Sequence, residues 1–237
     1  MTAGVVVLRP EPGNAATCAA ARDLGLASIA APLFDIEPLA WTAPDPERFD
    51  AVLLGSVNAV RHGGRELARY IGLPVYAVGA ATADAARAAG FRIEAMGDAG
   101  IEALLPELRQ GFGRRVLRLA GETHVPLAAP PGGSIETVAV YRAVPRGLGS
   151  DAIEALGCGA LALLHSAEAA RRFAAECARL ALDRGSIALI CLGARIAVAA
   201  GPGWREVSVA DAPTDAALLA LAARMCQTDP SGVAHQR

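Results

Sequence analysis

Small polar residues follow the ends of several predicted strands, at positions where they could bind an anionic ligand. Each begins a predicted helix, where free backbone N–H groups and the positive end of the helix dipole point outward. At any single position an ordinary helix cap explains such a residue better. Several of them at matching places in two halves of the chain favour a ligand cleft. The positions are 56–58 (SVN), 79–82 (GAAT), 166–168 (SAE), 193–195 (GAR) and 213–214 (PT).

Tyr141 is the residue that could carry proton chemistry. It lies in the strand-like stretch ETVAVYRAV, beside Val140 and Arg142, and is one of three tyrosines in the chain. A phenol is protonated at pH 7, so this side chain could donate a hydrogen bond or a proton to a leaving group. A strand tyrosine is also common as half-buried packing with a wet hydroxyl. The residues alone leave both interpretations open.

The sequence carries no motif for cofactor, metal or covalent amine chemistry. All 22 basic residues other than histidine are arginine, which excludes a Schiff-base lysine and a P-loop lysine. No GxGxxG, Walker A or GxSxG motif is present. The five cysteines form no CxxC pair and the four histidines lie far apart, so we expect neither a metal nor a cofactor. His165, beside Ser166, could contact a ligand, although such a histidine is more often a partly exposed polar residue.

Charge and hydropathy restrict the partners of the chain. A net charge of −2 gives no bulk attraction to nucleic acid or to an anionic membrane, although arginines gathered in one cleft could still bind a polyanion. The sequence opens without a basic segment followed by an apolar one, and no window reaches the roughly 18 uninterrupted apolar residues of a membrane span. We therefore expect a cytoplasmic, reduced protein whose partner is a small molecule.

The elements that must position these residues alternate along the whole chain. Short β-rich runs such as GVVVLRP, FDAVLLGS and LPVYAVG precede alanine-rich helical stretches. Continuous apolar strands between helices are typical of a parallel sheet covered on both faces. The alternation predicts an α/β fold, and 237 residues are enough for two domains.

The chain also repeats itself at a spacing of roughly 110 residues. DAVLLGSVNAVRH matches GALALLHSAEAARRF, and LPVYAVGAATADAARAAGF matches IALICLGARIAVAAGPGW. Ser56 therefore falls opposite Ser166, and Gly79 falls opposite Gly193. The repeat predicts two domains of similar construction.

Two segments break the alternation of strands and helices. They span 32–41 (PLFDIEPLAW) and 134–145 (SIETVAVYRAVP), and both are extended in character and flanked by Pro or Gly. They occupy equivalent places in the two repeats, so they could be strands that connect the domains. The polar C-terminal segment, 227–237, is expected to be a flexible tail.

Taken together, these stretches resemble the uroporphyrinogen-III synthase family of tetrapyrrole biosynthesis. The resemblance covers nearly the whole chain, through VLRPEP, PLFDIEPL, FDAVLLGSVNAV, LPVYAVGAATADAARAAGF, LRLAGE, VAVYRAVP, LLHSAEAARRF and DAPTDAALLAL. It implies two similar parallel-sheet α/β domains, the first discontinuous, joined by a two-stranded β linker. The implied boundaries are 1–34 with 146–226 for the first domain, 45–137 for the second, 35–44 and 138–145 for the linker strands, and 227–237 for the tail.

The resemblance also implies a reaction. Members of the family are cofactor-independent lyases that cyclise hydroxymethylbilane to uroporphyrinogen III, inverting ring D through a spiro intermediate and losing water. The substrate carries eight carboxylates, which helix N-termini and guanidinium groups can bind. Because hydroxymethylbilane cyclises unaided to the wrong isomer, holding one conformation matters more than acid–base strength. We expect a monomer that makes transient contact with porphobilinogen deaminase.

Position by position, the resemblance assigns roles to single residues. Tyr141 matches the family's linker tyrosine in the VYR pattern and is the best candidate to hydrogen-bond the leaving hydroxyl. Thr82, the threonine after VGxx, is the second catalytic candidate. The other residues would bind acetate and propionate groups through backbone N–H groups and side chains. The binding set is Arg9, Ser56, Asn58, Gly79, Thr82, Arg142, Ser166, Gly193 and Thr214.

Three residues depart from the family pattern. Gly55 stands where the family often has threonine, Ile196 stands where a threonine is usual, and His165 replaces an apolar, aromatic or threonine residue. The isoleucine at 196 removes one expected substrate contact. An alternative hypothesis is therefore a non-catalytic bilobal protein that binds a tetrapyrrole or another polycarboxylate or phosphorylated ligand.

Overall fold

A computed structural model describes residues 4–97, 101–104, 115–129 and 132–228, and it confirms the mixed α/β fold with parallel sheets. The strands are β1 (Gly4–Val7), β2 (Ala27–Ala30), β3 (Phe34–Pro38), β4 (Ala51–Leu54), β5 (Val75–Val78), β6 (Ile93–Gly97), β7 (Arg115–Gly121), β8 (Ser134–Pro145), β9 (Leu161–Leu164), β10 (Ala188–Cys191) and β11 (Glu206–Val209). The α-helices are α1 (Gly13–Asp23), α2 (Val57–His62), α3 (Ala80–Ala88), α4 (Ser150–Gly157), α5 (Ala167–Arg179), α6 (Ala194–Ala200) and α7 (Asp215–Thr228). Short 3-10 turns span Pro46–Arg48, Arg65–Tyr70, Ile101–Leu104 and Arg184–Ser186.

The first sheet is parallel throughout, in the order β11-β10-β9-β1-β2. Every residue of β9 and β10 is buried, as the continuous apolar runs LALL and ALIC require. Val5, Leu163 and Ile190 share a core cluster with Leu218 and Leu219 of α7. This helix therefore covers one face of the sheet.

The second sheet has the order β3-β8-β7-β4-β5-β6, and its strands from β8 to β6 are parallel. Alternate residues of β4 enter two different core clusters. Val52 and Leu54 pack in one of them, whereas Ala51 and Leu53 pack in the other. Both faces of β4 are therefore covered, which explains why the strand has no polar residue.

Residue contacts divide the chain into two compact units. The first comprises the chain up to Asp35 and again from Pro145 onward, and the second comprises Ile36–Val144. The chain thus passes from one unit to the other within β3 and returns within β8. These two strands are hydrogen-bonded neighbours at the edge of the second sheet.

The pairing of β3 with β8 is antiparallel. Leu39 donates its N–H to the carbonyl of Val140 at 3.0 Å, and Arg146 donates its N–H to the carbonyl of Leu33 at 2.8 Å. Residue numbers rise along one strand while those of their partners fall along the other, which defines the direction. Two extended segments that are far apart in sequence are therefore joined by backbone hydrogen bonds.

The two sheets share one strand order. Reading from one edge, the first sheet runs β11-β10-β9-β1, and the second runs β6-β5-β4-β7. The strands β9, β10 and β11 follow one another along the chain just as β4, β5 and β6 do. The place of β7 in the second sheet is taken by β1 in the first, so the sequence repeat corresponds to a repeat in topology.

The C-terminal helix is longer than the sequence predicted. α7 continues through Gln227 to Thr228, so the first two residues of the predicted tail are helical. The alanine- and leucine-rich stretch that precedes them favours helix, and no proline interrupts it before Pro230. The remainder of the predicted tail, 229–237, lies outside the described residues. Within the described chain, the helices are too short or too polar to cross a membrane.

Candidate active site

Three of the predicted binding residues cap helices that follow strands. Ser56 Oγ accepts a hydrogen bond from the Asn58 N–H at 3.2 Å, at the start of α2. Ser166 Oγ accepts one from the first turn of α5 at 3.1 Å, and Thr214 Oγ1 accepts one from α7 at 3.2 Å. Both serines have the extended backbone angles of an N-cap. Each hydroxyl is thus already used to begin its helix.

The two predicted glycines begin helices without a side-chain cap. Gly79 has φ of 77°, a left-handed conformation that favours glycine, and it precedes α3. Gly193 is extended and precedes α6. Thr82 lies in the first turn of α3 and is only 4% exposed, so its side chain offers little surface to a ligand in this structure. Ile196 occupies the first turn of α6 and is half-buried, with its N–H bonded to the Gly193 carbonyl at 3.0 Å.

Tyr141 sits at an irregularity in the second sheet. Along β7 and β8 the register runs Ala120 with Ala139 and then Gly121 with Tyr141, so Val140 is an extra residue in β8. Such a bulge changes the direction in which a side chain points. The half-buried Tyr141 ring packs against the core cluster, and its carbonyl accepts the Glu122 N–H at 2.8 Å. The strand therefore holds this tyrosine at a defined place.

The Tyr141 ring lies near the His62 ring, and the next residue, Arg142, forms an ion pair with Glu37. The rings of His62 and Tyr141 have centroids 6.3 Å apart and are tilted by 41°. Burial, followed by the charge of Arg61, lowers the pKa of His62, which keeps the imidazole neutral at pH 7. Arg142 hydrogen-bonds Glu37 Oε2 through Nε at 3.0 Å and through Nη2 at 2.7 Å. The guanidinium predicted to bind substrate is therefore paired with a carboxylate of β3.

Arg9 belongs to a polar cluster in the first unit. Its Nη1 lies 2.9 Å from both carboxylate oxygens of Asp215, the first residue of α7. Thr17 donates its hydroxyl to Asp215 Oδ2 at 2.6 Å, and His165 Nε2 lies 3.2 Å from Asp215 Oδ1. Burial raises the pKa of Asp215, but contacts with His165, Thr17 and Arg9 outweigh it and bring the pKa to about 2. The carboxylate therefore satisfies the guanidinium within the chain.

The side chain of His165 is almost fully buried in this cluster. Its side chain is 6% exposed, and neither ring nitrogen has a partner in hydrogen-bond geometry, although Nε2 is close to Asp215. Burial is the main cause of its lowered pKa, and the contact with Asp215 only partly opposes it. The neutral imidazole is therefore the favoured form. The residue as a whole is partly exposed, as the sequence predicted, but its ring is almost fully buried.

The structure brings some predicted residues together and adds others. In the first unit, Arg9 and His165 meet at Asp215, which directly follows Thr214. In the second unit, the neighbours of Tyr141 include two residues that the sequence did not single out, Gly121 and His62. An acidic residue in the first turn of a helix was a usable signal for Asp215. Its partnership with Arg9, separated by 206 residues, had no local signal.

Metal and thiol chemistry find no support in the described part of the chain. It contains no group of three or more potential protein ligands that could hold a metal ion. The cysteines are free. Burial raises the pKa of Cys177 and of Cys191 to about 11, so these thiols stay protonated at neutral pH.

Comparison with known proteins identifies related sequences and folds. The chain matches the family model of uroporphyrinogen-III synthase HemD over residues 15–220. It is similar to the crystal structure of uroporphyrinogen-III synthetase from Helicobacter pylori 26695, with 18% identity and a TM-score of 0.59 over 94% of this chain and 99% of that one. A mutant uroporphyrinogen III synthase from the extremely thermophilic bacterium Thermus thermophilus gives 20% identity and a TM-score of 0.56 over 95% and 99%. No curated protein matches the sequence.

Proposed function

The chain belongs to the uroporphyrinogen-III synthase family, and from this membership we propose that it cyclises hydroxymethylbilane to uroporphyrinogen III, with inversion of ring D and loss of water. The family match extends over most of the chain and confirms the resemblance read from the sequence. The reaction makes the protein a cyclising lyase of tetrapyrrole biosynthesis that needs no cofactor. Its chemical demands are the departure of one hydroxyl and the control of one ring's orientation.

Tyr141 is the group that assists departure of the hydroxyl. The observation that supports this role is its fixed, partly exposed position at the bulge in β8, opposite Gly121, the last residue of β7. A neutral phenol can donate a hydrogen bond to the leaving oxygen without carrying a charge that would attract substrate carboxylates to the wrong place. Thr82, at 4% exposure, would act through the geometry of α3 or after a local movement.

The carboxylates of the substrate are bound by helix N-termini and guanidinium groups. In the second unit the binding groups are the first turns of α2 and α3, which follow Ser56 and Gly79, together with the Asn58 side chain, because the N–H groups of Asn58 and Gly79 are already bonded within the chain. In the first unit they are the first turns of α5, α6 and α7, which follow Ser166, Gly193 and Thr214. Arg9 and Arg142 bind substrate by exchanging an internal carboxylate, Asp215 or Glu37, for a carboxylate of the ligand. This exchange costs less for Arg142, because its ion pair is the more exposed of the two.

The two units act as two domains, and each supplies residues that bind the substrate. We assign them to 1–34 with 146–226 and to 45–137, joined by linker strands over 35–44 and 138–145. Because two chain crossings join the units, we expect them to move relative to each other during turnover. The enzyme works as a cytoplasmic monomer that receives its labile substrate from porphobilinogen deaminase by transient contact.

A coupled assay tests the proposed function. Porphobilinogen deaminase supplies hydroxymethylbilane in the presence or absence of this protein, and the porphyrin isomers are separated after oxidation. The type III isomer should dominate only when the protein is present, since the spontaneous reaction gives type I. Mainly type I product in both samples, together with binding of hydroxymethylbilane or product, would instead show a non-catalytic tetrapyrrole-binding protein.

A further inference from the structure

Gly121 is a glycine because the ring of Tyr141 lies against it. A Cβ atom built on Gly121 would come within 2.9 Å of Tyr141 Cε2 and Cζ, and within 3.1 Å of its hydroxyl oxygen. Contacts this short between a Cβ and a ring do not occur without displacement. Gly121 is not among the glycines with positive φ, so its backbone conformation would accept any residue. The reason for glycine at this position is therefore steric.

The bulge brings the ring and the glycine together. If the pairing of Ala120 with Ala139 continued without a bulge, the next pair would be Gly121 with Val140. With the bulge, Val140 is fully buried in the core and Tyr141 stands opposite the glycine. The backbone is held on both sides, since Glu122 donates to the Tyr141 carbonyl at 2.8 Å and Leu39 donates to the Val140 carbonyl at 3.0 Å. The position of the phenol thus depends on a close approach between two strands.

His62 forms a second contact with the ring. It is the last residue of α2, and its half-buried imidazole lies 6.3 Å from the Tyr141 ring, centroid to centroid. This separation is within the range of favourable aromatic contacts. The helix that carries it is capped by Ser56, whose Oγ accepts the Asn58 N–H at 3.2 Å.

We propose that Gly121 and His62 are positioning residues that set the direction of the Tyr141 phenol, Gly121 by leaving room for the ring and His62 by packing beside it. The inference rests on the proposed role of Tyr141 in releasing the hydroxyl. Neither residue needs to touch the substrate. A displacement of about 1 Å in a catalytic group can lower the rate by about 100-fold, so the space beside one glycine is enough to control turnover.

A double-mutant cycle measures the coupling between Gly121 and Tyr141. We expect Gly121→Ala to lower kcat about as much as Tyr141→Phe does, with a smaller change in KM. Adding Gly121→Ala to Tyr141→Phe should cost less than about twofold, because two residues that act through one group are not additive. Gly72→Ala is the matched control, since nothing lies within 4 Å of its added Cβ and its φ is not positive. Full additivity would overturn the proposal.

His62 supplies a second test that does not perturb a strand. We expect His62→Ala to lower kcat about threefold to tenfold, and His62→Phe, which restores an aromatic ring, to recover most of the loss. If Gly121→Ala is too unstable for kinetic measurements, the comparison of His62→Ala with His62→Phe tests the proposal instead. Equal losses in the two variants would show that a ring beside Tyr141 does not matter.

A spectroscopic readout separates this inference from the proposed function. The chain has three tyrosines, so 3-fluorotyrosine gives few ¹⁹F resonances, and Tyr141→Phe identifies the one from Tyr141. Gly121→Ala and His62→Ala should shift that resonance and leave those of Tyr70 and Tyr76 in place. This result would support positioning even if Tyr141→Phe proved fully active and the catalytic role failed. An unmoved Tyr141 resonance in both variants would overturn the positioning itself.

Discussion

At equivalent places in the two sheets, β1 leads into a cluster of charged groups whereas β7 ends at a glycine packed against an aromatic ring. Arg9, just after β1, is neutralised by Asp215, and Thr17 and His165 complete the cluster. Gly121, the last residue of β7, leaves room for Tyr141 instead. One copy of the repeat has used this place to tie the start of the chain to its last helix. The other leaves space there for an aromatic ring.

The difference shows why the predicted binding arginines are not equivalent. The ion pair between Arg9 and Asp215 is contacted by the fully buried Thr17 and by the almost fully buried ring of His165. The ion pair between Arg142 and Glu37 lies on the surface. An ion pair supported by buried groups stabilises the fold mainly because removing one partner leaves the others unpaired. A surface pair can be exchanged for a ligand at little cost.

Asp215→Ala is expected to have the largest effect, a loss of about 2 to 3 kcal/mol in the free energy of unfolding. The variant leaves the Arg9 guanidinium and the Thr17 hydroxyl without their common acceptor. The value lies below that for a fully buried pair because Asp215 is 35% exposed. Urea unfolding followed by circular dichroism measures it.

The matched control for Asp215 is another carboxylate of the first unit. Asp211 is 84% exposed and lies 3.5 Å from Arg224, so Asp211→Ala should change stability by less than about 0.5 kcal/mol. Equal unfolding midpoints for the two variants would show that the cluster at β1 does not stabilise the unit.

Tyr141→Phe is expected to lower kcat by about tenfold or more, the lower side of what a positioned proton donor contributes. Its unfolding midpoint should stay close to that of the wild type, because the ring remains in place. Initial rates in the coupled assay give the effect.

Tyr70→Phe is the control for loss of a hydroxyl in the same unit. The Tyr70 hydroxyl donates to the Pro44 carbonyl at 2.7 Å, so its removal should cost about 1 kcal/mol of stability with no loss of turnover. Turnover of Tyr141→Phe equal to that of the wild type would remove Tyr141 from the mechanism.

Local patterns explain which of these features could be predicted from the sequence. Ser56 and Ser166 were found because a capping residue and its helix are adjacent in the chain. Tyr141 was singled out from its strand-like stretch, and the resemblance then favoured a catalytic role over packing. The clustering of Arg9 with Asp215 could not be found, because it depends on the first strand and the last helix meeting in space. The same applies to the bulge at Val140, which depends on the register between two strands.

Acid should destabilise the protein in two steps. Burial lowers the pKa of His165 below its ordinary value of 6.5, so the unfolded chain binds more protons and stability falls as the pH drops below 6.5. The pKa of Asp215 is lowered to about 2 from 3.8, so its contribution is full above pH 3.8 and is lost toward pH 2. Urea midpoints measured between pH 8 and about pH 2 should show both steps.

The first acid step can be assigned to one of two histidines, His165 in the first unit or His62 in the second. The pKa of His62 is lowered as well, mainly by burial, but His62 is only half-buried whereas His165 is 6% exposed. His165→Phe should therefore reduce the fall of the urea midpoint between pH 6.5 and about pH 4 more than His62→Phe does. The opposite order would mean that the deeper histidine does not govern this step.

Glu37→Gln is expected to have the smallest effect on stability and an informative effect on binding. The ion pair with Arg142 is exposed, so unfolding should not change measurably. If Arg142 binds a substrate carboxylate, removal of its internal competitor should lower KM by about twofold. Asp35→Asn is the matched control, because Asp35 of β3 pairs at 3.1 Å with Arg146, which directly follows β8 and is not a predicted ligand. Equal KM values for both variants would indicate that Arg142 remains a surface residue during turnover, and that strand ends and helix N-termini hold the substrate without it.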